Sequence, residues 1–269
     1  MRAVVLAAGR GSRMGPATAD RPKCLMEIRG RTLLERQVAA LREAGVVDTS
    51  VVAGWRAEAF AEIGLPVFRN DRWAETTMVE SLAAAEPWLS RGTVLVVYGD
   101  IVFSPATVRR LRECHADLAI AYEPDWQALW SRRFADPLDD AETFVRDATG
   151  ALVDIGDRPA TTAEVQGQYM GLLRISPVGW AVMSRARDAD PAVRGLDMTG
   201  LLRHLVRRRL LPVATVAVEG PWYEFDHPSD AETGLEVIGR LDAASRLPLP
   251  AHRRERIGSD ALEEGRWSR

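Results

Sequence analysis

The chain has 269 residues, 46% of them hydrophobic and 7% aromatic, which suits one large α/β domain, with or without a small insertion, around an aliphatic core. A formal net charge of -3 gives no global positive field to draw in nucleic acid, and the two cysteines, Cys24 and Cys114, exclude a disulfide framework or a cysteine metal cage. No apolar run approaches the roughly 18 residues needed to cross a bilayer, and the apolar start lacks a signal peptide's length and cleavage pattern, so a cytoplasmic globular protein is expected.

Arg2 to Ala7 is short, apolar and β-branched, the pattern of a buried strand, and it runs into a glycine-rich loop from Ala8 to Pro22. Apolar positions at helical spacing predict a helix over Thr32 to Ala44, with Gly45 closing it. Strands are predicted at Thr49 to Ala53 and Pro66 to Arg69, a helix at Thr76 to Trp88, and a central strand at Thr93 to Tyr98 that ends on Gly99-Asp100. Another strand covers Leu118 to Tyr122. The polar, acidic stretch from Asp125 to Gln166 then breaks the rhythm and reads as an insertion with short antiparallel strands over the sheet edge and the active site. A returning strand at Gln168 to Ile175, helices at Pro177 to Arg187 and Asp197 to Arg208, strands at Val213 to Val218 and Trp222 to Phe225, and a helix at Ser229 to Leu241 complete the pattern. The alternation predicts a Rossmann-like α/β fold: a mixed, mostly parallel sheet with helices on both faces. Residues 1–244 form a single domain in this reading, and 245–269 a loosely held tail.

The loop reads Leu6-Ala7-Ala8-Gly9-Arg10-Gly11-Ser12-Arg13-Met14-Gly15, followed by Arg21-Pro22-Lys23. Met14 stands where the dinucleotide fingerprint needs a third glycine, and the Lys-Ser/Thr of a P-loop is missing. What remains is a strand, glycines that let backbone approach a ligand, N–H groups able to form an anion nest, and the cations Arg13 and Lys23. On glycines alone, a purely structural loop is an equal reading. Lys23 is the single lysine among 35 cationic side chains, which suggests a role that arginine cannot fill.

Leu-Ala-Ala-Gly-x-Gly-Ser-Arg followed by Pro-Lys resembles the signature of the NTP-transferase family, which includes sugar-1-phosphate nucleotidylyltransferases and small cytidylyltransferases. The resemblance implies that Lys23 contacts phosphate. It also implies that Arg13 and the backbone from Leu6, Ala7, Ala8 and Gly9 to Gly11 and Ser12 hold the nucleotide's β- and γ-phosphates.

Asp100 follows a buried strand at its C-terminal end, where open α/β sheets place ligands, and Asp226 ends the apolar stretch Trp222-Tyr223-Glu224-Phe225-Asp226. Mg²⁺ takes one or two carboxylates with phosphate oxygens and water, although either aspartate would also serve as a helix cap. The family carries a metal-binding aspartate after the strand written here Val-Val-Tyr-Gly-Asp and a second one late in the chain. The resemblance therefore implies that Asp100 and Asp226 hold Mg²⁺.

The segment Asn70-Asp71-Arg72-Trp73-Ala74-Glu75-Thr76-Thr77-Met78-Val79-Glu80-Ser81-Leu82 resembles the base-reading stretch of the cytidylyltransferases and implies that Thr76, Thr77 and Ser81 bind the nucleotide. Thr77 stands where those relatives commonly have Asn. In the insertion, the runs around Trp126, Arg132, Arg133 and Glu142, with Tyr169 beyond them, resemble the phosphonate cytidylyltransferases. Arg132 and Arg133 would hold an anionic acceptor bidentately, the aromatics would equally suit a quaternary ammonium, and packing tryptophans with solvated arginines is the plain alternative.

The implied activity is a Mg²⁺-dependent transfer of CMP from CTP to a small phosphonate or phosphate-monoester acceptor, with release of pyrophosphate and without nucleic acid or membrane as partner. A homodimer is open. Phosphocholine as acceptor, a sugar 1-phosphate with UTP or dTTP, and a catalytically silent regulatory relative are the alternatives.

Overall fold

The structure, a computed structural model, describes residues 1–245; all but the first residue of the expected tail lies outside them. In chain order the elements are β1 (Arg2–Ala7), β2 (Glu27–Ile28), β3 (Arg31–Thr32), α1 (Leu33–Glu43), β4 (Asp48–Ala53), β5 (Val67–Arg69), α2 (Met78–Ala83) and α3 (Glu86–Leu89). Then come β6 (Val94–Tyr98), β7 (Ile101–Phe103), α4 (Pro105–Glu113), β8 (Leu118–Glu123), α5 (Trp126–Arg133), β9 (Phe144–Arg146), β10 (Leu152–Ile155) and β11 (Gln168–Ile175). The chain continues through α6 (Pro177–Ala189), α7 (Pro191–Arg194), α8 (Met198–Arg207), β12 (Ala214–Ala217), β13 (Trp222–Glu224) and α9 (Asp230–Ala244).

The central sheet has seven strands in the order β12-β8-β11-β6-β1-β4-β5. Only β11 runs against its neighbours, pairing antiparallel with β6 and β8, while β1 pairs parallel with both β4 and β6. Along β1 successive side chains point to opposite faces. Val5 and Ala7 join a core with Leu34 and Leu41 of α1, Val108 and Leu111 of α4, and Trp126 and Trp130 of α5. Val4 and Leu6 join another with Val79 and Leu82 of α2, Trp180 and Met183 of α6, and Leu201 and Leu205 of α8. The chain leaves β1 toward β4 on one side and β6 on the other, so the strand order reverses at β1. That reversal opens the usual ligand crevice at the strands' C-terminal ends.

Three local features differ from the sequence pattern. The helix expected over Thr76 to Trp88 is interrupted at Ala84-Ala85, because Pro87 has no N–H to give and instead starts the short α3. The segment after Asp125 opens with helix α5, and only then forms the antiparallel pair β9–β10. Directly beyond Asp100, β7 pairs antiparallel with β13 and ties the middle of the chain to its late segment. A third apolar cluster, with Met14, Leu33, Val102, Tyr223, Phe225 and Ile238, anchors both the glycine loop and this small sheet.

Candidate active site

The loop after β1 turns at Gly11, whose φ of 64° is in the left-handed region that glycine enters without penalty. A Cβ there would lie 3.1 Å from the Lys23 Cβ, so the missing side chain lets Lys23 pack against the loop. Thr18 Oγ1 donates to the Gly11 carbonyl at 2.8 Å, and the buried Met14 roots the turn. Ser12 and Arg13 stay exposed above it.

Lys23 bridges the two predicted metal ligands. Its Nζ donates to Asp100 Oδ2 at 2.9 Å and to Asp226 Oδ1 at 2.7 Å, and Arg13 Nη1 meets Asp226 Oδ2 at 2.5 Å. Burial alone would discharge Lys23, but Asp100 and Asp226 outweigh it and hold its pKa above the ordinary lysine value. The Phe225 N–H donates to the Asp100 carbonyl at 2.9 Å, so the two aspartates are joined through backbone as well as through Lys23.

A third carboxylate, Glu224, completes this end. Burial, then the charges of Asp100 and Asp226, push its carboxyl well above the usual range. The sequence reading passes over Glu224, yet a strand's period of two puts Glu224 and Asp226 on the same side of Trp222-Tyr223-Glu224-Phe225-Asp226. Asp100 Oδ1 is buried with no hydrogen-bond partner among the described residues. An unsatisfied hard oxygen beside a second carboxylate suits Mg²⁺, which binds through one or two carboxylates and completes its shell with phosphate and water. No cluster of three His, Cys, Asp or Glu ligands forms among the described residues.

The segment expected to read the base borders the loop. Asn70 Nδ2 donates to Thr76 Oγ1 at 2.9 Å and to Ser81 Oγ at 3.0 Å, fixing two of the three predicted residues on one amide. Thr77 precedes α2 and donates to the Arg194 carbonyl at 3.3 Å. Gly54 sits between the Ala8 carbonyl and the Trp73 side chain, so close that a Cβ would overlap both.

The insertion residues divide. Tyr169 stands edge-on to Tyr98 at 5.7 Å and feels the charges of both Glu142 and Glu224. Burial, then Asp197 and Asp140, raise the Glu142 carboxyl to about 7 against the opposing pull of Arg203. Gln168 grips the Glu142 backbone, accepting from its N–H at 3.2 Å and donating to its carbonyl at 2.7 Å.

Trp126, Arg132 and Arg133 each have a polar partner within the protein. Trp126 is 4% exposed and spends its indole N–H on the Val165 carbonyl at 3.0 Å. Arg132 points to Glu236 of α9, with the charges 2.5 Å apart. The Arg133 side chain is 1% exposed, with Asp230 as its ion-pair partner. Trp126 and Arg133 have given their polar groups to the interior, whereas the Arg132 pair is half exposed at the surface.

The MobA-like NTP transferase domain profile matches residues 3–155, which hold β1, the glycine loop, Lys23 and Asp100. The chain belongs to the MobA-like NTP transferase family. Among relatives of this NTP transferase, a CTP:phosphoglutamine cytidylyltransferase of Campylobacter jejuni is 30% identical over 257 residues, covering 88% of this chain and 100% of the relative. A CMP-5'-(3-aminopropyl)phosphonate synthase of Streptomyces rubellomurinus is 35% identical over 251 residues, covering 86% of this chain but only 37% of that longer relative. The solved inositol-1-phosphate CTP transferase of T. maritima shares the fold, with a TM-score of 0.72 at 18% identity over 91% of this chain and 98% of that one. The expected mixed, mostly parallel nucleotidyltransferase sheet is thus the fold observed. Nucleotidyl transfer to a phosphorylated acceptor is the activity that the family gives the chain.

Proposed function

We propose that this NTP transferase is a CTP-dependent cytidylyltransferase that moves CMP to a small phosphonate acceptor and releases pyrophosphate. The observation that carries the reading is the convergence of Asp100, Asp226 and Lys23 beside the glycine loop at the C-terminal edge of the sheet. Asp100 and Asp226 would hold Mg²⁺, which when bound neutralises charge on the transferring phosphates. Arg13 and the loop N–H groups would hold the β- and γ-phosphates, and Lys23 would turn from its carboxylates to the phosphate chain. An acceptor oxygen attacks the α-phosphorus in line, the new P–O bond forms as the α–β bridge breaks, and the electron pair leaves on pyrophosphate. The chain supplies position and charge rather than a nucleophile, because a phosphate monoester with a second pKa of about 6 is already largely dianionic at neutral pH and a phosphonate carries at least one anionic oxygen there.

The acceptor's far end is read from charge. Asp230 and Glu236 neutralise Arg133 and Arg132, so no free cation from that pair would repel an ammonium group. Glu142, with Asp140 and Asp197 near it, makes the surroundings of Tyr169 acidic, which favours an aminophosphonate such as the one named for the Streptomyces relative. Phosphocholine would want aromatic faces around its quaternary nitrogen. Trp126 and Trp130 are 4% and 3% exposed, with Trp130 stacked on Trp222, and offer it none. Pyrophosphate release over four NTPs with 3-aminopropylphosphonate, phosphocholine, phosphoglutamine and glucose 1-phosphate tests the reading. CTP with the aminophosphonate should give the highest kcat/KM; equal use of UTP, or a sugar nucleotide as main product, refutes it.

A further inference from the structure

We propose that Arg133 and Asp230 are positioning residues that hold the Asp226 carboxylate at the metal site, an inference that rests on the assignment of Asp226 as a ligand. Asp226 lies after the last residue of β13 and before α9, where no sheet or helix bond fixes its N–H. Asp230 takes over that task. Its Oδ2 accepts the N–H of Asp226 at 2.8 Å and that of His227 at 2.7 Å, and its Oδ1 accepts the Tyr223 hydroxyl at 3.1 Å. Arg133 completes the arrangement with a fork, Nε to Oδ1 at 3.0 Å and Nη2 to Oδ2 at 3.3 Å.

Four donors other than the second guanidinium nitrogen thus converge on one carboxylate that is itself buried. Burial works against its charge, but Arg133 outweighs burial and keeps Asp230 ionised below the usual range. The guanidinium lies over the rings of Trp130, Phe134 and Tyr223 at 5.1, 5.1 and 5.4 Å, so its orientation is fixed as well as its charge. A chain of contacts therefore runs from α5, through Asp230, to the Asp226 amide and the carboxylate facing Lys23. Partners behind a metal ligand set its orientation, and their loss typically weakens metal affinity by about 10–100-fold. The insertion helix, on this geometry, serves the metal site from behind.

The test separates positioning from simple closure of the turn that Asp230 makes with the His227 carbonyl. Binding of Mn²⁺ alone to the full chain is followed by the resonance of the free ion, alongside the Mg²⁺ concentration for half-maximal pyrophosphate release. Asp230→Asn keeps the shape but turns one acceptor into a donor facing donors. It should weaken Mn²⁺ binding about tenfold and raise the Mg²⁺ requirement equally, with kcat at saturating Mg²⁺ within about threefold. Arg133→Lys should fall between Asp230→Asn and wild type, since it keeps charge but loses the fork. Leu111→Ala in α4 should lower Tm and leave Mn²⁺ affinity unchanged. Wild-type affinity in Asp230→Asn, with binding lost in Asp226→Asn, overturns the positioning role. Wild-type affinity in Asp226→Asn removes the ligand assignment and this inference with it. Should Asp230→Asn fail to fold, unchanged affinity in Arg133→Lys is the overturning result.

Discussion

The proposed nucleotide end and the proposed acceptor end of this NTP transferase are built by opposite means. At the proposed nucleotide end, Arg13 and Lys23 come from the connection after β1 and Asp100 from the turn after β6, and Asp226 and Lys23 tie their charges together. At the proposed acceptor end, the residues come from an insertion in which Trp126 and Arg133 are buried on partners within the protein, while Arg132 pairs with Glu236 at the surface. Charge left facing inward can be exchanged for a ligand. Charge already paired in the core, as on Arg133, becomes scaffold, whereas Glu142 and its acidic neighbours keep polarity to offer.

The comparison breaks hardest at the aspartates. Asp100→Asn or Asp226→Asn should each lower kcat by on the order of 10³-fold, as should removing divalent ions with a chelator; full activity in excess chelator would end the two-aspartate reading. Next in size, Lys23→Ala should cost roughly 10²–10³-fold in kcat. Lys23→Arg should fail to restore it, because a planar fork does not replace a compact ammonium between two carboxylates. An active Lys23→Arg enzyme would show that the lone lysine has no special task.

Smaller effects are expected at the acceptor end. Glu142→Gln should raise the acceptor's KM about tenfold with little change in kcat, roughly the loss of one charge-assisted contact. The sign of the pH dependence follows from its carboxyl at about 7. Below that pH the group is mostly neutral, and above it the group carries the charge that attracts an ammonium, so acceptor KM should fall from pH 6 to pH 8. Asp197, Asp140 and Arg203 are the charged groups whose fields Glu142 feels. A KM that falls equally in Glu142→Gln assigns the titration elsewhere. Smallest of all, Trp126→Phe should leave acceptor KM within about twofold and cost about 1 kcal/mol in denaturant unfolding, the worth of its bond to Val165. A large KM effect there would return Trp126 to the acceptor's surroundings.

What the sequence makes legible divides along the same line. Lys23 and Asp100 can be found because a strand, a glycine loop and a strand end are local signals, and the structure only has to bring neighbouring connections together. Asp226 is legible from its place after an apolar stretch, and Glu224 could be found from strand alternation alone. The spacing of Trp126, Leu129 and Trp130 is a helical signal, but an eight-residue helix among acidic turns is too short for it to stand out. Arg133 is legible only as a cation. Its partner Asp230 lies 97 residues away, and no local pattern reports a pairing over that span.

The lone lysine has a practical corollary. Acylating and cross-linking reagents attack neutral amines, and Lys23 is held protonated, with its side chain only 11% exposed. No other lysine competes with it, since the remaining Lys/Arg positions are all arginine. A lysine acyl group seen by mass spectrometry could only be on Lys23, so its appearance would report how far the carboxylates have released the ammonium.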